Sequence, residues 1–161
     1  MLYRTHNNSK LMHYRIHVIP VLFIILFAGN CSADDVLQMR KINNVSFEMQ
    51  KCELNGKTIE CFCYATSPDK DRTLNLMGFG NSKMYDDSGN EYLPLTLHIA
   101  NKEGPNSHGI RAQLITGIRT KVRLVFENVS TNARTVSRLD YKGKLDNKPI
   151  LVTFRNIPIS K

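Results

Sequence analysis

Four cysteines and five histidines are the most reactive side chains in this chain, and their spacing limits what they can do. Cys61 and Cys63 flank Phe62, and Cys52 lies a short turn upstream. Three thiolates grouped this way suit zinc or cuprous copper, because soft sulfur prefers such ions. Structural zinc takes four ligands and a wider C-x-x-C type of spacing, which Cys61-Phe62-Cys63 lacks. In an oxidising compartment the same residues form one disulfide and leave one thiol. The pairings open to them are 52–61, 52–63 and 61–63. Cys61 and Cys63 alternate along a strand, point to the same face and are badly placed to bond each other. The expected bond is Cys52–Cys61 across a hairpin turned at Asn55-Gly56, with Cys63 left as a free thiol. A redox or metal-handling role through Cys61 and Cys63 is the alternative.

Nucleophilic catalysis has little to work with. Downstream of residue 33 only His98 and His108 remain. No G-x-S-x-G elbow, H-E-x-x-H helix or Gly-Lys-Ser/Thr phosphate loop occurs. A Cys63–His98 pair is the one nucleophile–base arrangement available, since such partners are often distant in sequence. The segment Asp86-Asp87-Ser88-Gly89-Asn90-Glu91 reads first as a tight turn, because Gly and Asn accept positive φ. It lacks the spaced acids and terminal Glu of a calcium loop. Asp69 and Asp71 read as solvated loop carboxylates that could join such a site if the fold gathered the loops. The expectation is no enzyme, no catalytic residue, no metal and no cofactor.

The residues ahead of this chemistry decide its compartment. Residues 1–17 carry Arg4, Lys10 and Arg15, and no acid precedes Asp34. An apolar run of 12 residues follows at 18–29, well short of the roughly 20 needed to span a bilayer as a helix. Pro20 and Asn30 weaken a permanent span further. Basic start, short apolar core and small-residue exit make residues 1–33 a secretory signal, with Met12 as an alternative start. Cys31-Ser32-Ala33 fits cleavage after Ala33. The competing reading is a lipoprotein signal ending before Cys31, whose thiol would then be lipidated; there Asn30 and Ala28 depart from the usual lipobox. An uncleaved anchor is the third. Export to the periplasm or exterior is expected, with membrane contact only through Cys31 or an uncleaved signal.

With three of the 22 basic residues and none of the 14 acids in the signal, the remainder carries a net charge of +5. Its cations are dispersed; Arg119, Lys121 and Arg123 form the densest group and read as a solvated strand face, with an anionic partner as the lesser reading. No Trp and no aromatic-and-basic interleaving along the chain argue against nucleic acid. Asn44-Val45-Ser46 and Asn128-Val129-Ser130 match glycosylation acceptors, which matter only in a eukaryotic secretory path.

The elements that must position these residues are strands. Residues 34–43 show no strong pattern and read as a short linker before a domain at 44–161. Val45, Phe47 and Met49 alternate with polar residues. Residues 58–65, 73–77, 83–85, 90–100, 111–116, 120–127, 134–141 and 150–155 follow as short extended runs. Turn chemistry separates them, including a polar loop at 101–109 and a charged turn at 142–148. Val122, Leu124 and Phe126 form one inward row, and Ile150, Val152 and Phe154 another. Strands at this spacing argue for a sandwich or barrel.

The order of these motifs resembles that of a known family. Phe47-Glu-Met-Gln-Lys-Cys52 and Asn55-Gly-Lys-Thr-Ile-Glu-Cys61 resemble the disulfide-linked first hairpin of small secreted bacterial immunoglobulin-like domains. Asp86-Asp-Ser-Gly-Asn-Glu-Tyr92 resembles their D-x-x-G-N-E-Y hairpin, residues 114–126 resemble their Gly loop and Phe-ended strand, and Phe154-Arg-Asn-Ile-Pro158 resembles their closing strand. The group is a telomeric-repeat-like, extracellular Ig-like family of unknown function, and the likeness covers about 45–158. Cys63 is not part of its pattern. The resemblance implies an antiparallel immunoglobulin-like β-sandwich of seven or eight strands and the Cys52–Cys61 bond, but no activity. The resulting expectation is an exported, non-enzymatic module that binds a protein or cell-envelope component. The contacts expected for it are the loops at 101–109 and 142–148, or an open sheet edge. A lipoprotein subunit of an envelope assembly is the further alternative.

Overall fold

In a computed structural model the described residues are 35–77, 81–105 and 107–161. The expected signal at 1–33, with Cys31, lies outside them. The strands are β1 (Gln38–Ile42), β2 (Val45–Asn55), β3 (Thr58–Thr66), β4 (Arg72–Leu76), β5 (Lys83–Asp86), β6 (Glu91–Tyr92), β7 (Pro94–Ile99), β8 (Lys102–Pro105), β9 (Ile110–Leu114), β10 (Thr120–Phe126), β11 (Thr135–Leu145) and β12 (Lys148–Ser160). The all-β expectation holds. The count of seven or eight does not, because spans without apolar alternation also pair: β1 occupies the expected linker, and β8 occupies the expected loop at 101–109.

Turn chemistry explains two of the hairpins. Asn43 and Asn44 join β1 to β2 with φ of 49° and 65°, and Asp146 and Asn147 join β11 to β12 with φ of 49° and 66°. Asn and Asp tolerate this left-handed region, and two such residues in succession match the twist of a tight hairpin. The expected charged turn at 142–148 therefore shrinks to two residues, and its flanks belong to strands.

Hydrogen-bonded strands run in the order β6-β5-β11-β12-β2-β3-β10-β7-β8, with β1 added to β2 and β4 bridging β11 to β9. All pairs are antiparallel except one: β12 meets β2 in parallel, with Ile159 opposite Cys52 and Ser160 opposite Glu53. The sheet is thus mixed rather than purely antiparallel. It also curls. β11 and β3 stand three strands apart, about 14 Å in a flat sheet at about 4.8 Å per strand, yet the Tyr141 hydroxyl on β11 donates to the Cys61 carbonyl on β3 at 3.4 Å. Only a sheet folded over its own face brings them together.

The face inside the curl is apolar. Both expected inward rows, Val122-Leu124-Phe126 and Ile150-Val152-Phe154, are buried there with Phe47, Met49 and Tyr141. Each such large side chain contributes about 1.5–3 kcal/mol by leaving water. Tyr141 meets Phe154 edge-on, centroids 5.9 Å apart. Gly143 opens the β4–β11 pairing, because a Cβ there would collide with the Asn75 carbonyl.

β1 is held from both sides. It pairs with β2 by its backbone, and on the other side the Gln38 carboxamide grips β12. Its Nε2 donates to the Arg155 carbonyl, and its Oε1 accepts the Arg155 N–H at 3.2 Å. Arg40 Nε donates to the Thr153 carbonyl at 3.1 Å. Two side chains thus stand in for a row of strand hydrogen bonds.

Candidate functional site

The cysteines divide as their spacing suggested. Cys52 and Cys61 face each other across the β2–β3 hairpin, Cα atoms 4.1 Å apart, with their sulfurs at bonding distance. Cys63 is free and buried. Burial pushes its thiol pKa far above the ordinary value, overriding a backbone hydrogen bond at Glu48. Nucleophiles and metal ligands are thiolates, so this sulfur is held in the inert form. His98 cannot activate it: Cys63 points into the core, whereas His98 sits beside Arg123 on the opposite face of the sheet. Burial lowers the His98 pKa, and the Arg123 charge lowers it further. His108 lies elsewhere, on an exposed turn beside Ser107. Among the described residues no three His, Cys, Asp or Glu side chains converge as a metal site.

Asp86 is fully engaged by its own turn. Its carboxylate accepts the backbone N–H groups of Ser88 and Asn90, the Asn90 amide and the Tyr92 hydroxyl, each at 2.9 Å. Asp71 accepts the N–H and hydroxyl of Thr116, both at 2.8 Å. Asp69 pairs with Arg72 at 3.2 Å. A hydrogen bond from Asn44 is the main influence that lowers its pKa to about 2, with Arg72 assisting against desolvation. Each carboxylate pins a loop.

The chemistry that faces solvent lies on the outer side of β2, β3 and β10. A bulge creates its geometry. Val45, Phe47 and Met49 face inward, and so do Cys52 and Leu54, an odd-to-even change of phase. The register shifts between Met49 and Lys51, which leaves Gln50 as the extra residue. One inserted residue reverses the alternation of everything beyond it. The bulge therefore turns Cys52 inward to meet Cys61 and sends Lys51 outward. Gln50 itself is 8% exposed, and neither its amide nitrogen nor its oxygen has a hydrogen-bond partner.

On β3 the inward phase is Ile59, Cys61, Cys63 and Ala65, and the outward phase carries Phe62 and Tyr64. Neighbouring strands supply cations to these rings. Lys51 Nζ from β2 and Lys121 Nζ from β10 lie 5.3 Å and 4.7 Å from the Phe62 centroid. The Arg119 guanidinium stacks 4.1 Å from the Tyr64 centroid and pairs with Glu48 at 3.0 Å. Such contacts contribute about 0.5–1 kcal/mol each at exposed sites. Arg123 bridges Glu60 at 2.9 Å and His98 at 3.0 Å. The interleaving of aromatic and basic residues that the linear chain lacks is assembled across strands.

Beside this row lies a groove of about 290 Å³, lined by Asp35, Leu37, Gln50, Lys51, Phe62, Tyr64 and Lys121. Sequence reasoning found Lys121 but missed Gln50, Lys51, Phe62 and Tyr64. The outward phase of a strand whose inward phase is Cys61-x-Cys63 was the available signal for the two rings. Neither known family models nor curated proteins give a match to this chain.

Proposed function

We propose that this chain is an exported, non-enzymatic module with an immunoglobulin-like β-sandwich, and that it binds a protein or cell-envelope component through the outer face of β2, β3 and β10. The carrying observation is the pair Phe62 and Tyr64, presented outward on a disulfide-stapled hairpin and flanked by Lys51, Lys121 and Arg119. Aromatic and cationic side chains on a rigid sheet offer large contact area at low entropic cost. The buried sulfur chemistry supports a structural role for Cys52, Cys61 and Cys63. This face takes over from the loops as the favoured contact surface.

The test is site-specific crosslinking in envelope preparations, comparing the wild type with a Phe62→Ser, Tyr64→Ser double variant that keeps the fold. A partner captured by the wild type and lost in the variant supports the reading. Equal capture by both, or a native enzymatic turnover of envelope substrates, removes it. Intact mass after cell fractionation tests the compartment: cleavage after Ala33 is expected, an acylated Cys31 marks the lipoprotein route, an unprocessed chain in the envelope marks the uncleaved anchor, and recovery only from the cytoplasm overturns export.

A further inference from the structure

Gln50 poses a physical problem. Its carboxamide has both a donor and an acceptor, both are buried, and neither is paired. Burying such groups without partners is costly, and the bulge that places Gln50 here also makes it line the groove with Phe62, Tyr64 and Lys121. The same chain shows what a carboxamide in this setting takes. Gln38 spans the N–H and the carbonyl of one residue, Arg155, in an extended strand. In an extended strand those two groups of a residue point to the same side, so one carboxamide satisfies both.

The position of Gln50 suits a strand-like ligand. β1 leaves the edge of β2 where Leu37 N–H bonds to the Met49 carbonyl, and β12 joins that edge at Cys52. Gln50 falls in the interval. Phe62 and Tyr64, one strand repeat apart, lie where alternate side chains of an extended ligand would rest. The charge at the groove selects the ligand further. Lys121 Nζ sits over Phe62, and no carboxylate of the described residues lies within ion-pair distance of it. Asp35 also lines the groove, and its charge disfavours an acid beside it, so the acidic side chain of a ligand is assigned to Lys121.

We propose that the groove binds an extended acidic peptide segment: the Gln50 carboxamide, closed off in the free protein, turns into the groove and takes the backbone N–H and carbonyl of one ligand residue, while a neighbouring carboxylate meets Lys121. The inference rests on the binding-module reading and names its partner class. It is a form of strand recognition by a side chain, in which backbone pairing gives affinity and charge gives direction.

The experiment is fluorescence anisotropy on the full chain with an end-blocked, labelled peptide of alternating Glu and Val. Controls are the same peptide N-methylated at alternate residues, an alternating Lys-Val peptide, and labelled polygalacturonate. Binding of the Glu-Val peptide is expected, weakened about tenfold in Gln50→Leu and in Lys121→Gln, a factor that suits the loss of one good polar contact. N-methylation removes the donor and is expected to weaken binding by a similar factor. Gln50→Leu is apolar and of similar size, and its unfolding midpoint confirms that it folds. Undiminished binding by Gln50→Leu or by the N-methylated peptide overturns the proposal, as does equal binding of the Lys-Val peptide or binding of polygalacturonate alone. If no peptide binds but the Phe62→Ser, Tyr64→Ser variant still loses its crosslinked partner, the peptide assignment falls and the binding-module reading stands.

Discussion

Replacing Asp86 tests the claim that this carboxylate organises its turn rather than binding a ligand. Asp86 is 1% exposed and accepts four hydrogen bonds. Hydrogen bonds to a charged group contribute about 1.5–3 kcal/mol each, but they are not additive. Ser88 and Asn90 are exposed, so water can reach their three donors once the carboxylate is gone. The half-buried Tyr92 hydroxyl then loses its acceptor. Asp86→Ala is therefore expected to lose about 2–4 kcal/mol, and Asp86→Asn, which keeps shape but loses charge, about 1–2 kcal/mol. The pH dependence gives a second handle. Burial raises the Asp86 pKa, but the hydrogen bonds from Asn90, Tyr92 and Ser88 outweigh it and leave the pKa below its ordinary value. A carboxyl with a lowered folded pKa gives stability that is full above the unfolded pKa and is lost as pH falls through the folded one. The gap between wild type and Asp86→Asn should thus narrow below about pH 4. Urea unfolding followed by far-ultraviolet circular dichroism or tyrosine fluorescence reads both effects, since the chain has no Trp. A variant within about 0.5 kcal/mol of wild type at neutral pH, or a gap unchanged by acid, refutes the reasoning.

Other changes probe the remaining parts of the fold. Substituting both Cys52 and Cys61 by Ala should cost roughly 2–3 kcal/mol, as expected for closing a loop of this length, and urea midpoints measure it. The folded protein should resist thiol reagents at Cys63, with labelling appearing only as denaturant opens the core; rapid labelling in buffer would contradict its burial. Gly143→Ala should destabilise by about 2 kcal/mol or more through the clash with the Asn75 carbonyl, seen as a lowered melting temperature. Gln50→Leu should raise stability by about 1–2 kcal/mol, because it removes a buried amide with no partner; a drop in the urea midpoint would show that the amide is satisfied in solution.

Much of the architecture was legible in the chain because burial imposes alternation. The rows at 122–126 and 150–154 announced themselves in this way, and Asn55-Gly56 marked the hairpin that brings Cys52 to Cys61. What escaped had physical reasons. β1 lacks an apolar phase because side chains of Gln38 and Arg40, rather than packing, fix it to β12. The turn at Asn43-Asn44 contains no glycine, so it resembles ordinary polar sequence, and the turn at Asp146-Asn147 lies inside the expected turn at 142–148, whose polar flanks hide that they are strand. The bulge at Gln50 leaves no local mark, since its effect is to reconcile the phase of Met49 with that of Cys52. The surface row at Phe62 was hidden because its cations come from two other strands. No local window holds Lys51, Phe62 and Lys121 together.

The parallel seam between β12 and β2 bears on how the protein reaches its native state. A chain made from its amino end completes the β2–β3 hairpin early, while the residues that seal the far edge of β2 at Cys52 lie more than a hundred positions further along the chain. Until then the part of that edge beyond β1, at Cys52 and Glu53, stands open to any other extended segment, the situation in which strands recruit the wrong neighbour. Closure of so distant a loop is slow in proteins of this topology. The final residues of β12 thus act as a late fastening of the β2 edge.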